Sequence, residues 1–121
     1  VKDTQGRHIM KHNYGVCRGR HEMPVEEYFF PEKINPTEPF ALCQHARRRL
    51  VADGVKPGMD GDLVNVYVTG LTVATVAIIQ ACILEGIACC LYHYDRDTGE
   101  YYPQSVNTAG LDPDVTIYRE E

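Results

Sequence analysis

Three short segments of this 121-residue chain carry side chains suited to gripping a phosphate. Arg18-Gly19-Arg20-His21 offers two guanidinium groups and an imidazole, and His93-Tyr94-Asp95-Arg96 offers two rings and a third guanidinium. Between them, Thr69-Gly70-Leu71-Thr72 offers two hydroxyls and, at the start of a helix, free amides at the positive end of its dipole. Guanidinium forks match phosphate oxygens, and helix-start N–H groups point toward an anion. On this reading Arg18 and Arg20 pair with phosphates and the amides of Gly70, Leu71 and Thr72 hold a nonbridging oxygen. Arg96 adds a cation, and Tyr94 or Tyr102 stacks a base. His21 is the candidate general acid–base, because an unperturbed imidazole titrates near neutrality. Thr69 to Thr72 also has a plainer reading, as a turn glycine followed by a helix-capping threonine, and the chain holds no GxGxxG or Walker loop.

The elements that must position these segments follow from pattern. Lys11–Cys17 reads as a strand and Val25 to Phe30 as a second extended stretch. Asn35 or Thr37 can accept bonds from free backbone amides ahead of a helix that opens on Pro39, where a missing N–H is harmless, and runs to about Ala52. Phe40, Cys43, Ala46, Leu50 and Val51 recur at helical spacing as its apolar face, with Arg47-Arg48-Arg49 read as a solvated face. A glycine-rich loop then leads to Leu63 to Thr69, a near-continuous apolar strand of the kind buried on both faces. A helix from about Thr72 to Glu85 follows, apolar almost all round, so that it lies between layers or against a partner chain. Gly86 ends it. Ile87 to Tyr94 and Glu100 to Val106 are strands joined by a hairpin turn at Asp95 to Gly99.

The order β-β-α-β-α-β-β describes an α/β fold: a small Rossmann-like three-layer unit, with a mostly parallel sheet and an antiparallel C-terminal hairpin. We expect one domain over residues 11–121, with 1–10 a flexible or vector-derived lead. In open parallel sheets ligands collect beyond the carboxyl ends of the strands, which is where the three cation- and amide-bearing segments would meet.

Composition limits the function classes. A net charge of −5 argues against duplex nucleic acid as a partner, since that binding needs a broad basic face. Five cysteines with no CxxC pair read as core thiols of a reducing, cytoplasmic compartment. The longest apolar run is too short to span a bilayer, and no signal peptide is legible, so no membrane partner is expected. His8 and His12 lack a carboxylate ligand set at metal spacing, and neither metal nor cofactor is expected. His45 and His93 read as surface or hydrogen-bonded histidines. The tyrosines 92, 94, 101, 102 and 118 read first as cross-strand packing and second as a base-stacking surface.

The run from Gly70-Leu71-Thr72-Val73-Ala74 through a buried helix into a strand and hairpin, preceded by a helix opening on Pro39-Phe40, resembles the small stand-alone CRISPR-associated Rossmann fold (CARF-like) ring nuclease proteins. That resemblance implies a homodimer whose strand-end notches join into one pocket for a cyclic oligoadenylate. It also implies metal-independent cleavage by a ribose 2′-hydroxyl, with Thr69, Gly70, Leu71 and Thr72 as binders. The expected function is therefore binding of a nucleotide-like phosphate ligand, with cleavage an open extension of it. The expected partner is a second copy, through the Thr72 to Glu85 helix or the hairpin. The alternative is a non-catalytic interaction or sequestering protein of a phage or mobile element.

Overall fold

Helix α1 (Pro39–Ala52) and helix α2 (Thr72–Glu85) lie side by side, joined across their seam by the Arg47 Nε to Glu85 Oε2 bond of 2.8 Å. The computed structural model describes residues 10–19, 22–31 and 33–107. Around the helices run β1 (Lys11–Cys17), β2 (Glu27–Phe30), β3 (Leu63–Tyr67), β4 (Ala88–Asp95) and β5 (Glu100–Asn107), in one sheet of order β2-β1-β3-β4-β5. The first four strands are mutually parallel, and β5 returns antiparallel to β4. The architecture is thus α/β, with a mostly parallel sheet and a C-terminal hairpin.

The expectation of three layers is corrected. The connection from β2 to β3 passes over β1, and that from β3 to β4 steps the same way across the sheet. Crossovers of the usual right-handed sense that step in one direction place their helices on one face. The described residues therefore form two layers. Along β3 this shows as alternation: Val64 and Val66 are fully buried toward the helices, while Leu63, Asn65 and Tyr67 point to the other side. Cys89 and Leu91 on β4 and His12 and Tyr14 on β1 stand in register with those valines.

The core between sheet and helices is built from Tyr14, Val16, Phe29, Leu50, Val64, Val66, Ile78, Cys82, Cys89 and Leu91. Each of the larger aliphatic side chains contributes about 1.5–3 kcal/mol by leaving water. On α1 the buried residues are Leu42, Cys43, Ala46 and Leu50. Phe40 and Val51, expected on that face, are exposed instead, because helical rotation carries both to the side away from Leu42. The arginine run is also more engaged than a solvated face. Besides the Arg47 bond, Arg49 donates to Asp53, Glu27 and the Tyr28 carbonyl and lies over the Tyr14 ring.

Element ends follow local chemistry. Pro39 sits in the first turn of α1 behind Glu38, which makes no side-chain cap. Asn35 instead accepts from the amide and hydroxyl of Thr37, closing a turn just upstream of the helix. Gly86 closes α2 at φ 69°, a left-handed position that costs other residues about 1–2 kcal/mol. All five cysteines are buried, and none is in a disulfide. Among the described residues no helix is long and apolar enough to cross a membrane.

Candidate functional site

Because β1, β3 and β4 are parallel, Arg18, Val68 and Arg96 all follow strand ends at the same edge of the sheet. A cleft of about 630 Å³ opens at that edge, a size suited to a small organic ligand. Val68 and Thr69 line it from the end of β3, and His93, Tyr94 and Arg96 from the end of β4 and its turn. Tyr101 and Tyr102 reach it from the start of β5, and Glu22 and Met23 from the segment between β1 and β2.

The hairpin register explains the aromatic wall. Asp95 pairs with Glu100, so Tyr94 stands opposite Tyr101 and His93 opposite Tyr102. The Tyr94 and Tyr101 rings meet edge to face at 5.3 Å, and the His93 and Tyr102 rings lie 5.4 Å apart. Tyr67 continues the array, stacked on Tyr92 and edge-on to Tyr101. Packing across strands is thus established for these rings, yet Tyr94 and Tyr102 remain about half exposed toward the cleft. Burial, followed by the neighbouring Tyr94 and Tyr28, raises the Tyr101 phenol above its ordinary pKa, so at neutral pH it is a proton donor and not a base. The His93 Nε2 lies 2.7 Å from Gln104 Oε1. A carbonyl oxygen only accepts, so in this bond Nε2 is the donor.

The polar groups of the cleft are few. Thr69 is only 8 % exposed, and its hydroxyl has no hydrogen-bond partner among the described residues. Three residues later α2 begins, with Leu71 as its N-cap and no side-chain cap. The capping role expected of Thr72 is therefore corrected: Thr72 is the first helical residue and is exposed. A leucine offers no acceptor, so the first amides of α2 lack a capping group from their own turn. Gly70 holds the turn at φ 86°, and Leu71 packs against the core while its carbonyl accepts the Thr75 amide and hydroxyl.

Of the residues expected to bind, Thr69, Tyr94 and Arg96 line the cleft together, and Gly70, Leu71 and Thr72 form the turn into α2 beside it. Arg18 follows β1 at the same sheet edge, but its guanidinium lies 4.9 Å over the Tyr28 ring and does not line the cleft. Arg20 and His21 lie outside the described residues. Sequence reasoning did not assign Glu22, Met23, Val68 or Tyr101 to the site. Tyr101 was within reach, since counting back from the four-residue turn pairs it with Tyr94. Glu22 and Met23 were not, because only the path of their loop brings them there.

A second polar cluster lies at the opposite sheet edge. Asp53 accepts from the Tyr14 hydroxyl at 2.6 Å and from Arg49 Nε at 2.8 Å, and Asp62 lies 2.8 Å from His12 Nε2. These bonds fasten the loop between α1 and β3 onto β1. Among the described residues no group of His, Cys, Asp and Glu side chains is arranged to hold a metal ion. Compared with known proteins, the chain matches no family model, no curated protein and no solved structure.

Proposed function

We propose that the protein binds a nucleotide-like ligand in the cleft at the carboxyl ends of a Rossmann-like parallel sheet. The observation that carries this reading is the mixture of groups around one cavity: two half-exposed tyrosine rings, the Arg96 guanidinium, the Glu22 carboxylate and a Thr69 hydroxyl with no partner among the described residues. A bare phosphate would satisfy Arg96 and the uncapped start of α2 but would be repelled by Glu22 and leave the rings unused. A nucleotide fits all of them, with its base on Tyr94 or Tyr102, its phosphate toward Arg96 and α2, and sugar hydroxyls donating to Glu22.

A cyclic oligonucleotide, as the CARF-like resemblance implies, is the larger member of this ligand class. In the proposed scheme holding the ligand needs only the cleft. Cleavage without metal would additionally use His21 as acid–base. Five buried cysteines with no disulfide among them support a reducing compartment such as the cytoplasm.

Thermal denaturation of the full chain with nucleoside monophosphates, linear dinucleotides and cyclic oligoadenylates tests the proposal, with inorganic phosphate and free nucleosides as controls. At least one nucleotide should raise the midpoint at concentrations where the controls do not. No shift with any nucleotide at millimolar levels removes the reading. Chromatography of the recovered ligand then separates the two versions of it: an intact ligand identifies a sequestering protein, and a linearised one a ring nuclease.

A further inference from the structure

We propose that the cleft is built for a dinucleotide unit, with two nucleobases splayed onto opposite faces of the β4–β5 hairpin and joined by one phosphodiester beside Thr69; this rests on the nucleotide reading above and adds the number of bases and the kind of linkage. The ladder of β3 with β4 ends at Tyr67 opposite Tyr92, so the hairpin projects past β3 and walls the cleft, while Val68 and Thr69 line it from the end of β3. Side chains alternate along a strand, so the register fixes the face of each ring. Leu91, level with the buried Val66, faces the helices, and two residues on His93 and its cross-strand partner Tyr102 do the same. Tyr92, level with Tyr67, faces the other way, and so do Tyr94 and its partner Tyr101. Met23 lies on that open face too, with its Sδ over Gly15, which is level with Tyr67.

Two rings of one cleft thus stand on opposite sides of a single ribbon, Tyr94 53 % exposed and Tyr102 52 % exposed. Rings so placed cannot sandwich one base, and a base stacked on either leaves the other bare. A ligand that uses both must bring two planar groups, and stacking on tyrosine tolerates any base. Each ring has a cross-strand neighbour that holds it, Tyr101 for Tyr94 and His93 for Tyr102. The linkage follows from charge. Arg96 is the one guanidinium and Glu22 the one carboxylate among the described residues that line the cleft, a balance suited to the single charge of a phosphodiester and not to the larger charge of a pyrophosphate. The turn into α2 agrees, since Gly70 stands alone there without the further glycines that let a backbone close on a pyrophosphate. Thr69 is 8 % exposed, and its hydroxyl, with no partner among the described residues, is the donor for a nonbridging oxygen.

Calorimetric titration of the full chain with a linear dinucleoside monophosphate, the matching nucleoside monophosphates and a pyrophosphate-linked dinucleotide tests the two-base site. The phosphodiester dinucleotide should bind about tenfold or more tighter than any mononucleotide. Tyr94→Leu and Tyr102→Leu should each weaken it about fivefold or more, whereas no mononucleotide should lose that much to both. Both positions are half exposed, so circular dichroism should show both variants folded. Mononucleotides that match the dinucleotide in affinity, or a dinucleotide indifferent to either tyrosine, overturn the two-base site and leave the nucleotide reading standing. Tighter binding of the pyrophosphate-linked dinucleotide overturns the linkage. If no nucleotide binds at millimolar levels, the two-base site falls together with the nucleotide reading.

Discussion

His12 Nε2 lies 2.8 Å from Asp62 Oδ2, tying the start of β1 to the loop that feeds β3 across fifty residues of chain. The same oxygen accepts the Lys56 amide at 3.0 Å, and the Leu63 amide bonds the Met10 carbonyl one step away. Parallel pairing of β1 and β3 therefore begins at a polar clamp on a buried carboxylate.

The clamp sets an acid limit on stability. Burial opposes ionisation of Asp62, but the His12 ring and the Lys56 amide outweigh it and hold the carboxyl below its ordinary range. Asp53 is lowered in the same way, against burial, by Tyr14 and Arg49. A carboxyl whose folded pKa is depressed stabilises above its unfolded value of about 3.9, and that stability drains away as pH falls through the folded value. Urea melts should show wild-type stability declining below about pH 4. Asp62→Asn should cost about 1–3 kcal/mol at neutral pH and markedly less at low pH. An Asp62→Asn variant with an acid limb parallel to wild type would refute the assignment.

Gly15 makes room for Tyr28. A β-carbon at Gly15 would run into the edge of the Tyr28 ring and approach Met23 Sδ to 3.3 Å, on the sheet face away from the helices. Gly15→Ala should destabilise by about 1–3 kcal/mol through overpacking. Tyr28→Ala should absorb most of that penalty, so the double mutant should be less destabilised than the sum of the singles. Additive effects in a thermodynamic cycle would mean that the two residues do not share the space.

Thr69→Val should separate stability from binding. The buried hydroxyl has no partner among the described residues, so an isosteric methyl should leave the ligand-free chain as stable as wild type or more stable by up to about 1 kcal/mol. The same change should weaken nucleotide binding, since it removes a donor from the cleft wall. Calorimetric titration beside thermal melts reads both signs.

Arg96→Ala should lower nucleotide affinity about tenfold or more with little change in melting temperature, because the side chain is exposed and makes no ion pair with the described residues. The wild-type affinity should fall with added salt more steeply than that of the variant. Equal salt slopes in fluorescence titrations would mean that Arg96 does not face the anion.

Ile78 and Ile83 differ by five positions on one helix and by their whole environment. Ile78 is fully buried and Ile83 is 57 % exposed. Ile78→Ala should cost about 2–5 kcal/mol by cavity formation. Ile83→Ala should cost the folded chain little, within about 0.5 kcal/mol, in the same melts.

The succession of elements was legible because each is specified by neighbours in the chain. Gly86 could end α2 in a left-handed conformation, Pro39 could open α1 without losing a needed amide, and Asp95 to Gly99 could reverse the chain into β5. The strand ends followed too: once β3 and β4 are parallel, Thr69 and Arg96 must emerge at one edge, and they do line one cleft.

What the sequence could not decide depends on contacts between distant segments. Placing β2 outside β1 makes both crossovers step the same way, and that choice, invisible in any local pattern, leaves the sheet with helices on one face only. The guanidinium of Arg18 settled on the Tyr28 ring because β2 lies beside β1, and Glu22 and Met23 joined the cleft because their loop passes over it. The amino-acid order determined where helices and strands begin, end and alternate, since those preferences act over a few residues. Tertiary packing alone decided which face is covered and which side chains meet, because those outcomes depend on burial shared by residues that are far apart in the chain.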